Sequence, residues 1–446
     1  MRSRILAFSL LSVVLVFLAA GIAYNLPPIH ERLAWRVENL RTQIRYALKP
    51  PQQAVFVPQK QVDVQVEAIV QATLQALRST PAAPASPLNP SATQPATQAG
   101  PTSTPALSPT PSAIPTPIPQ KVLLKGAVHE YQQFNNCGPA TLAVALSYWG
   151  WAGDQTKTRT YLRPNPKVDD KNVNPFELVN YVETQTQFKA LTRVGGDLDL
   201  LKRLVAAGFP VIIEKGFQPA KEDWMGHYEL VTGYDDARAR LITQDVYIMP
   251  DFPQPYPEVT DHWWRDFNYS YVVVYPAERE ASLMAVLGPQ ADPAANYRYA
   301  AQKAADETAA LTGRDLFFAW YNLGSSRVGL QDYAGAAEAY DKAFNLYPSI
   351  SEKERPWRML WYQVGPYPAY YNTGRYQDLI DLTNFAFAAL DQPTLEESLY
   401  WRGLAREALG KLDEAISDLK QAYALNPNST PALDELKKLG VDNPAN

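Results

Sequence analysis

The order of apolar and polar positions divides this chain before any single residue does. An unbroken apolar run extends from Ile5 to about Tyr24, behind Arg2 and Arg4. A helix needs roughly twenty such residues to cross a bilayer, so residues 1–24 are expected to form a transmembrane anchor, with a removed secretory signal as the alternative. Basic residues ahead of the run predict a cytoplasmic N-terminus, with everything that follows outside the cytoplasm. From Ile29 to Leu48 the pattern turns amphipathic, with Leu33, Leu40, Ile44 and Leu48 on one side and Arg36, Arg41 and Arg45 on the other. Val62, Val66, Ile69, Val70 and Leu77 continue at helical spacing. Residues 25–78 are therefore expected to be a juxtamembrane helical stalk. Between Ser79 and Gln120 there is no charged residue, and Pro, Ser, Thr and Ala dominate. Such a composition builds no core, so residues 79–120 read as a disordered linker, with a reach of up to ~130 Å at about 3.1 Å per residue.

The texture changes again over residues 121–288. Helical spacing comes first, at Thr141–Trp149, Pro175–Val182 and Leu198–Ala207. Strand-like runs follow at Val211–Glu214, Tyr228–Gly233, Leu241–Val246 and Tyr271–Tyr275, separated by Gly and Pro. Helices followed by an antiparallel sheet make an α+β arrangement. Residues 293–440 are helical throughout and repeat. Trp320, Leu323 and Gly324 are followed by Ala336, Tyr340, Ala343 and Pro348; Gly403 is followed at the same offsets by Ala415, Leu419, Ala422 and Pro427. That spacing is the tetratricopeptide repeat. Gly374, Tyr376, Leu379 and Ala386 suggest a degenerate third copy, after an insert around Pro356–Tyr362. Each helix pair leaves an apolar face bare until a neighbour stacks on it, so a small all-α solenoid is expected.

Charge and composition narrow the chemistry. A net charge of −5 and a pI near 5.6 give no electrostatic case for nucleic acid. No pair of histidines has ligand spacing, there is a single cysteine, and no Gly-rich phosphate loop occurs, so no metal and no cofactor are expected. That cysteine, Cys137, stands where a helix begins, with Pro139 just inside the first turn. The helix dipole and the unpaired N–H groups of the first turn favour a thiolate there, and the thiolate is the nucleophile. Gly138 is expected to keep the approach to the sulfur clear.

A thiolate nucleophile needs a base, a group to orient it, and donors for the oxyanion. Four histidines are available. His30 lies in the stalk, His129 in a loop, and His262 in an irregular aromatic stretch. His227 opens a strand after a turn, which holds an imidazole at a sheet edge, and it is the expected base; a satisfied structural histidine is the alternative. An antiparallel neighbour ending in Asp245 would bring a carboxylate alongside, to fix the tautomer and support the imidazolium. A solvated strand-end acid is the bland reading of Asp245. Gln132 and Gln133 both qualify as the amide of an oxyanion hole, together with the Cys137 backbone N–H.

Gln132 through Leu142, followed by Gly226-His227-Tyr228 and Asp245, resembles the bacteriocin-processing (double-glycine leader) peptidase family, in its C39-like, papain-fold branch. By that resemblance Cys137 is the nucleophile, His227 the general base, Asp245 its orienter and Gln132 the oxyanion amide. Gln132 stands one residue closer to the cysteine than is usual in papain-like enzymes, so Gln133 stays open. The resemblance implies a membrane-anchored, extracytoplasmic cysteine peptidase acting on a peptide or protein, with repeats that recruit a protein partner. The exporter and ATPase portions of full-length transporter members are missing from this sequence. An inactive peptide-binding scaffold and a thiol-dependent amide transferase or isopeptidase are the competing readings.

Overall fold

In chain order the elements are β1 (Lys121–Leu123), α1 (Cys137–Tyr148), α2 (Gln155–Leu162), α3 (Pro175–Gln185), β2 (Lys189–Arg193), α4 (Leu198–Ala206), β3 (Val211–Phe217), β4 (Met225–Asp235), β5 (Arg240–Asp245), β6 (Met249–Pro255), β7 (Tyr271–Tyr275) and α5 (Glu280–Leu287). Helices α6 (Pro293–Ala310), α7 (Gly313–Gly329), α8 (Tyr333–Leu346), α9 (Pro366–Asn372), α10 (Tyr376–Ala388), α11 (Glu396–Ala408), α12 (Leu412–Leu425) and α13 (Thr430–Lys438) follow. They come from a computed structural model that describes residues 118–165, 172–219, 222–390, 393–428 and 430–441. It also describes the isolated positions Leu15, Gly21, Leu40, Ile44, Leu48, Phe56 and Pro58. The expected anchor, stalk and linker otherwise lie outside the described residues, save for 118–120. Among the described residues no helix is long and apolar enough to cross a membrane.

The seven strands pair antiparallel in the order β2-β7-β3-β4-β5-β6, with β1 on the far end of β4. In β7, Tyr271, Val273 and Tyr275 point to one core and Val272 and Val274 to another, and all five are buried. Alternation with both faces apolar requires a layer on each side. Helices α1 and α3 cover one face through Leu142, Leu146, Leu178 and Val182. Helices α4 and α5 cover the other through Leu200, Leu204, Leu283 and Leu287. Fully burying each such side chain contributes about 1.5–3 kcal/mol. The mixed helix-and-sheet class is the expected one.

The elements that periodicity did not predict have local causes. Strand β6 carries Pro250, Pro253 and Pro255 and is tolerated because it is the sheet edge. Helix α2 is too polar to show an apolar stripe, and it starts because Asp154 accepts the N–H groups of Thr156 and Lys157.

Helices α7–α8 and α11–α12 are the two strong repeat copies, and α9–α10 is the third pair. Gly374 falls in the turn before α10 at φ +73°, as Gly410 does before α12 at +77°. It is a turn glycine and not the counterpart of Gly324 or Gly403, which lie inside helices. The insert is not a loose excursion: Trp357, Met359, Leu360 and Trp361 are buried. Trp224 and Phe267, from the sheet region, belong to the same apolar core as Phe317, Phe318 and Trp357 of the helical region. Phe56 is buried there too, edge-on to Phe344 at 5.2 Å.

Candidate active site

Helix α1 begins at Cys137, where its place ahead of Pro139 puts the start, so the sulfur stands on the first helical residue. The helix is pinned across the backbone of a single residue of β4. Thr141 Oγ1 donates to the Tyr228 carbonyl at 3.1 Å, while the Tyr228 N–H donates to the Cys137 sulfur. That edge is accessible because the β4–β5 pairing begins only at Leu230 with Gln244, and the chain turns away after Asp245. Gly138 has a different purpose from the one its sequence context suggests. A Cβ there would stand 3.3 Å from the Tyr228 ring and 3.5 Å from Val173 Cβ, so glycine lets α1 lie close against β4. The Tyr228 hydroxyl in turn donates to the Val173 carbonyl at 2.9 Å.

His227 precedes Tyr228 and is buried. Its Nε2 meets Asp245 Oδ1 at 3.0 Å, and the imidazole also hydrogen-bonds the Cys137 sulfur, leaving Nδ1 as the nitrogen on that side. Asp245 Oδ1 also accepts the N–H groups of Tyr247 (2.8 Å) and Ile248 (3.0 Å), so the carboxylate is held by the turn that ends β5. Phe217 stacks on the imidazole at 4.7 Å and 27°, shielding one face.

The electrostatics separate charge within the pair. Burial works against a thiolate at Cys137, but the hydrogen bond and charge of His227 and the N–H groups of Tyr228 and Gly138 outweigh it, and the thiol titrates below its ordinary value. Burial likewise disfavours the imidazolium. The Asp245 charge and hydrogen bond, followed by those of Cys137, reverse this and raise His227 to about 10. Asp245 is lowered to about 2: burial opposes ionisation, and His227 and Lys215 overcome it. These shifts run in the directions that favour a thiolate beside an imidazolium backed by a carboxylate.

The loop into Cys137 is built around a residue that carries no motif. The side-chain Oε1 of buried Gln155 accepts from Gln133 N–H at 2.7 Å and from Asn136 Nδ2 at 2.9 Å. Its Nε2 donates to Glu130 Oε2 at 2.9 Å and to the Tyr131 carbonyl at 2.7 Å. Gln132 lies on the other side of this loop. Its N–H donates to the Val246 carbonyl at 2.8 Å, beside Asp245, and its Oε1 is buried with no partner among the described residues. The backbone of Gln133 faces Gln155 instead.

Two further buried groups gave no sequence signal, because a lone acid or lysine in a strand reads as a surface residue. Glu214, cross-strand from Tyr228, is held well above the usual carboxyl range by burial, against its hydrogen bond to Tyr228. That shift favours its neutral form beside the site. Lys215, cross-strand from His227, pairs with Glu229 Oε2 at 3.2 Å; both are buried, and Gln254 bonds each of them at 2.6 Å. This polar layer lies under the His227–Asp245 pair.

Of the remaining histidines, His129 and His262 are described. Both ring nitrogens of His129 are buried without hydrogen-bond partners among the described residues, and burial lowers its pKa against the pull of Asp245 and Asp251. His262 Nδ1 lies 3.7 Å from Asp315 Oδ1 on α7. His30 falls outside the described residues. Among the described residues no cluster could hold a metal ion.

Comparison with known proteins finds two kinds of similarity along the chain. Residues 125–271 match the family described as Peptidase_C39 like family, and residues 319–350 and 396–429 match tetratricopeptide repeats. Among curated proteins, the FK506-binding protein-like protein of Rattus norvegicus is 31% identical over 112 residues, 24% of this chain and 30% of that protein. Its Homo sapiens counterpart is 30% identical over the same length and shares. The chain thus spans less than a third of the curated relatives it matches. A solved structure from Bacillus anthracis, described as C39-like peptidase, aligns at TM-score 0.29 and 17% identity, over 34% of this chain and 96% of that one. The protein therefore carries a Peptidase_C39-like segment followed by tetratricopeptide repeats.

Proposed function

We propose that this protein is a cysteine peptidase of papain-like construction that hydrolyses peptide bonds through Cys137, His227 and Asp245. The observation that carries the reading is the single hydrogen-bonded line from the Asp245 carboxylate through the His227 imidazole to the sulfur at the start of α1. The Cys137 thiolate attacks the scissile carbonyl carbon. The Cys137 N–H and the Gln132 side-chain amide receive the developing oxyanion, and Gln132 is favoured over Gln133 because its backbone is tied beside Asp245. His227 gives its proton to the leaving nitrogen as the C–N bond breaks, which leaves a thioester on Cys137. His227 then takes a proton from water, hydroxide adds to the thioester, and sulfur departs as thiolate beside a reprotonated imidazole.

The apolar run Ile5–Tyr24 behind Arg2 and Arg4 supports a membrane-anchored protein whose functional part is extracytoplasmic. The repeats, a module of protein–protein contact, support recruitment of a protein or peptide.

The test is a peptide library incubated with the full chain and with Cys137→Ser, with products identified by mass spectrometry, with and without an added amine acceptor. New termini formed by the wild type alone, as free carboxylates in both conditions, are the expected result. Intact peptides in every sample would overturn the reading, and products capped by the amine would make the protein a transferase.

A further inference from the structure

We propose that the helical repeats complete the peptidase site by holding its two layers at their working separation, with Tyr362 and Glu397 as the positioning residues. The inference rests on the peptidase reading for what Cys137 and His227 do, and adds what keeps them together.

On the imidazole side, the contact is made one residue from His227. A Cβ on Gly226 would stand 2.7 Å from Phe267 Cζ and 2.9 Å from Tyr362 Cδ1, so the Tyr362 ring of the insert lies directly on the backbone that presents His227. Tyr362 is itself wedged edge-on against Trp224 at 5.8 Å and Phe267 at 5.9 Å. Its neighbour Gln363 donates through Nε2 to the Asp266 carbonyl at 2.6 Å and accepts from the Tyr321 hydroxyl at 2.5 Å. The insert is thus tied at once to the sheet region and to α7.

On the sulfur side, the contact falls two steps from Cys137. Gly138 packs against Val173, and the next residue, Asn174, donates through Nδ2 to Glu397 Oε1 on α11 at 2.6 Å. Further along the same layer, Asn428 Nδ2 donates to the Tyr161 carbonyl at 2.8 Å and Asn165 Nδ2 to the Ala424 carbonyl at 3.4 Å. The region of the first repeat and the insert therefore grips the layer of His227, and the last repeat grips the layer of Cys137. Stacked repeats transmit strain from neighbour to neighbour, so the array acts as a brace between the two layers. The sulfur–imidazole hydrogen bond, which fails beyond about 3.5–4 Å, is what such a brace protects. A ligand that bends the repeats would then be read out as a change in thiol ionisation.

The experiment is the rate of Cys137 alkylation by iodoacetamide against pH, on the full chain, for wild type, Tyr362→Ala, Tyr362→Phe, Glu397→Ala and Glu397→Gln, with thermal unfolding measured on each. Tyr362→Ala and Glu397→Ala are expected to move the inflection toward the ordinary thiol value by about one pH unit, a roughly tenfold slower alkylation at pH 6. Tyr362→Phe and Glu397→Gln, which keep the ring and the accepting oxygen, are expected to track the wild type. Inflections unmoved in both alanine variants, with only the melting temperature lowered, would overturn the proposal; should Tyr362→Ala fail to fold, Glu397→Ala alone decides it in the same way. A wild-type thiol of ordinary pKa, unmoved by His227→Ala, would overturn the peptidase reading and this inference with it.

Discussion

At the scale of single residues, the chemistry turns on which groups are charged. Cys137 is lowered and His227 raised to about 10, shifts that favour an ion pair over a window that closes near 10. Peptide hydrolysis should therefore rise with pH through an inflection below the ordinary thiol range and fall as pH approaches about 10. A kcat/KM profile without the alkaline limb would contradict the assignment of His227. The same shifts govern stability. His227 is raised in the folded state, so its contribution is fully present below the unfolded value of about 6.5 and is lost as pH climbs toward 10. Asp245 is depressed, so its contribution is present above about 3.9 and is lost as pH falls toward 2. Denaturant titrations should place the maximum from this pair between about pH 4 and 6.5. Replacing Gln132 with Ala should lower kcat by about 10²–10³ with little change in KM, as loss of one oxyanion donor does. Gln133→Ala should stay near wild type; the reverse pattern would move the oxyanion role to Gln133.

At the scale of elements, the loop before α1 depends on a helix that sequence did not announce. Gln155→Ala removes the acceptor of the Gln133 N–H and the donor to Glu130 in one step. Leaving such buried groups unpaired costs about 1–3 kcal/mol each, so a drop of several degrees in melting temperature is expected, together with slower thiol alkylation. An unchanged melting temperature would show the loop to be held by something else. What sequence made legible follows from the same physics. The alternation Tyr271–Tyr275 could be read because both faces of β7 are covered, and the Cys137 and His227 elements could be read because one starts a helix and the other a strand. Asp245 was legible through antiparallel register alone. Gln155, Glu214 and the Lys215–Glu229 pair were not, because their partners come from elements distant in sequence and polar residues carry no period. Gly138 was legible as a glycine but not for its reason, since the ring it accommodates belongs to Tyr228, far along the chain.

At the scale of the whole molecule, the sheet region and the repeats share one apolar core through Trp224, Phe267, Phe317 and Phe318. A chain cut between α5 and α6 would expose that surface, and it should aggregate or melt well below the full chain in light scattering and calorimetry; a cut chain as stable as the whole would argue for independent units. Everything else rests on the state of one sulfur. Because Cys137 is the only cysteine among 446 residues, the thiolate ultraviolet absorbance of the full chain below pH 9 reports it without interference from another thiol. The account predicts an inflection clearly below the ordinary value of about 8.5 in the wild type, shifted up toward that value in His227→Ala. A wild-type inflection at or above the ordinary value, indifferent to His227, would contradict it.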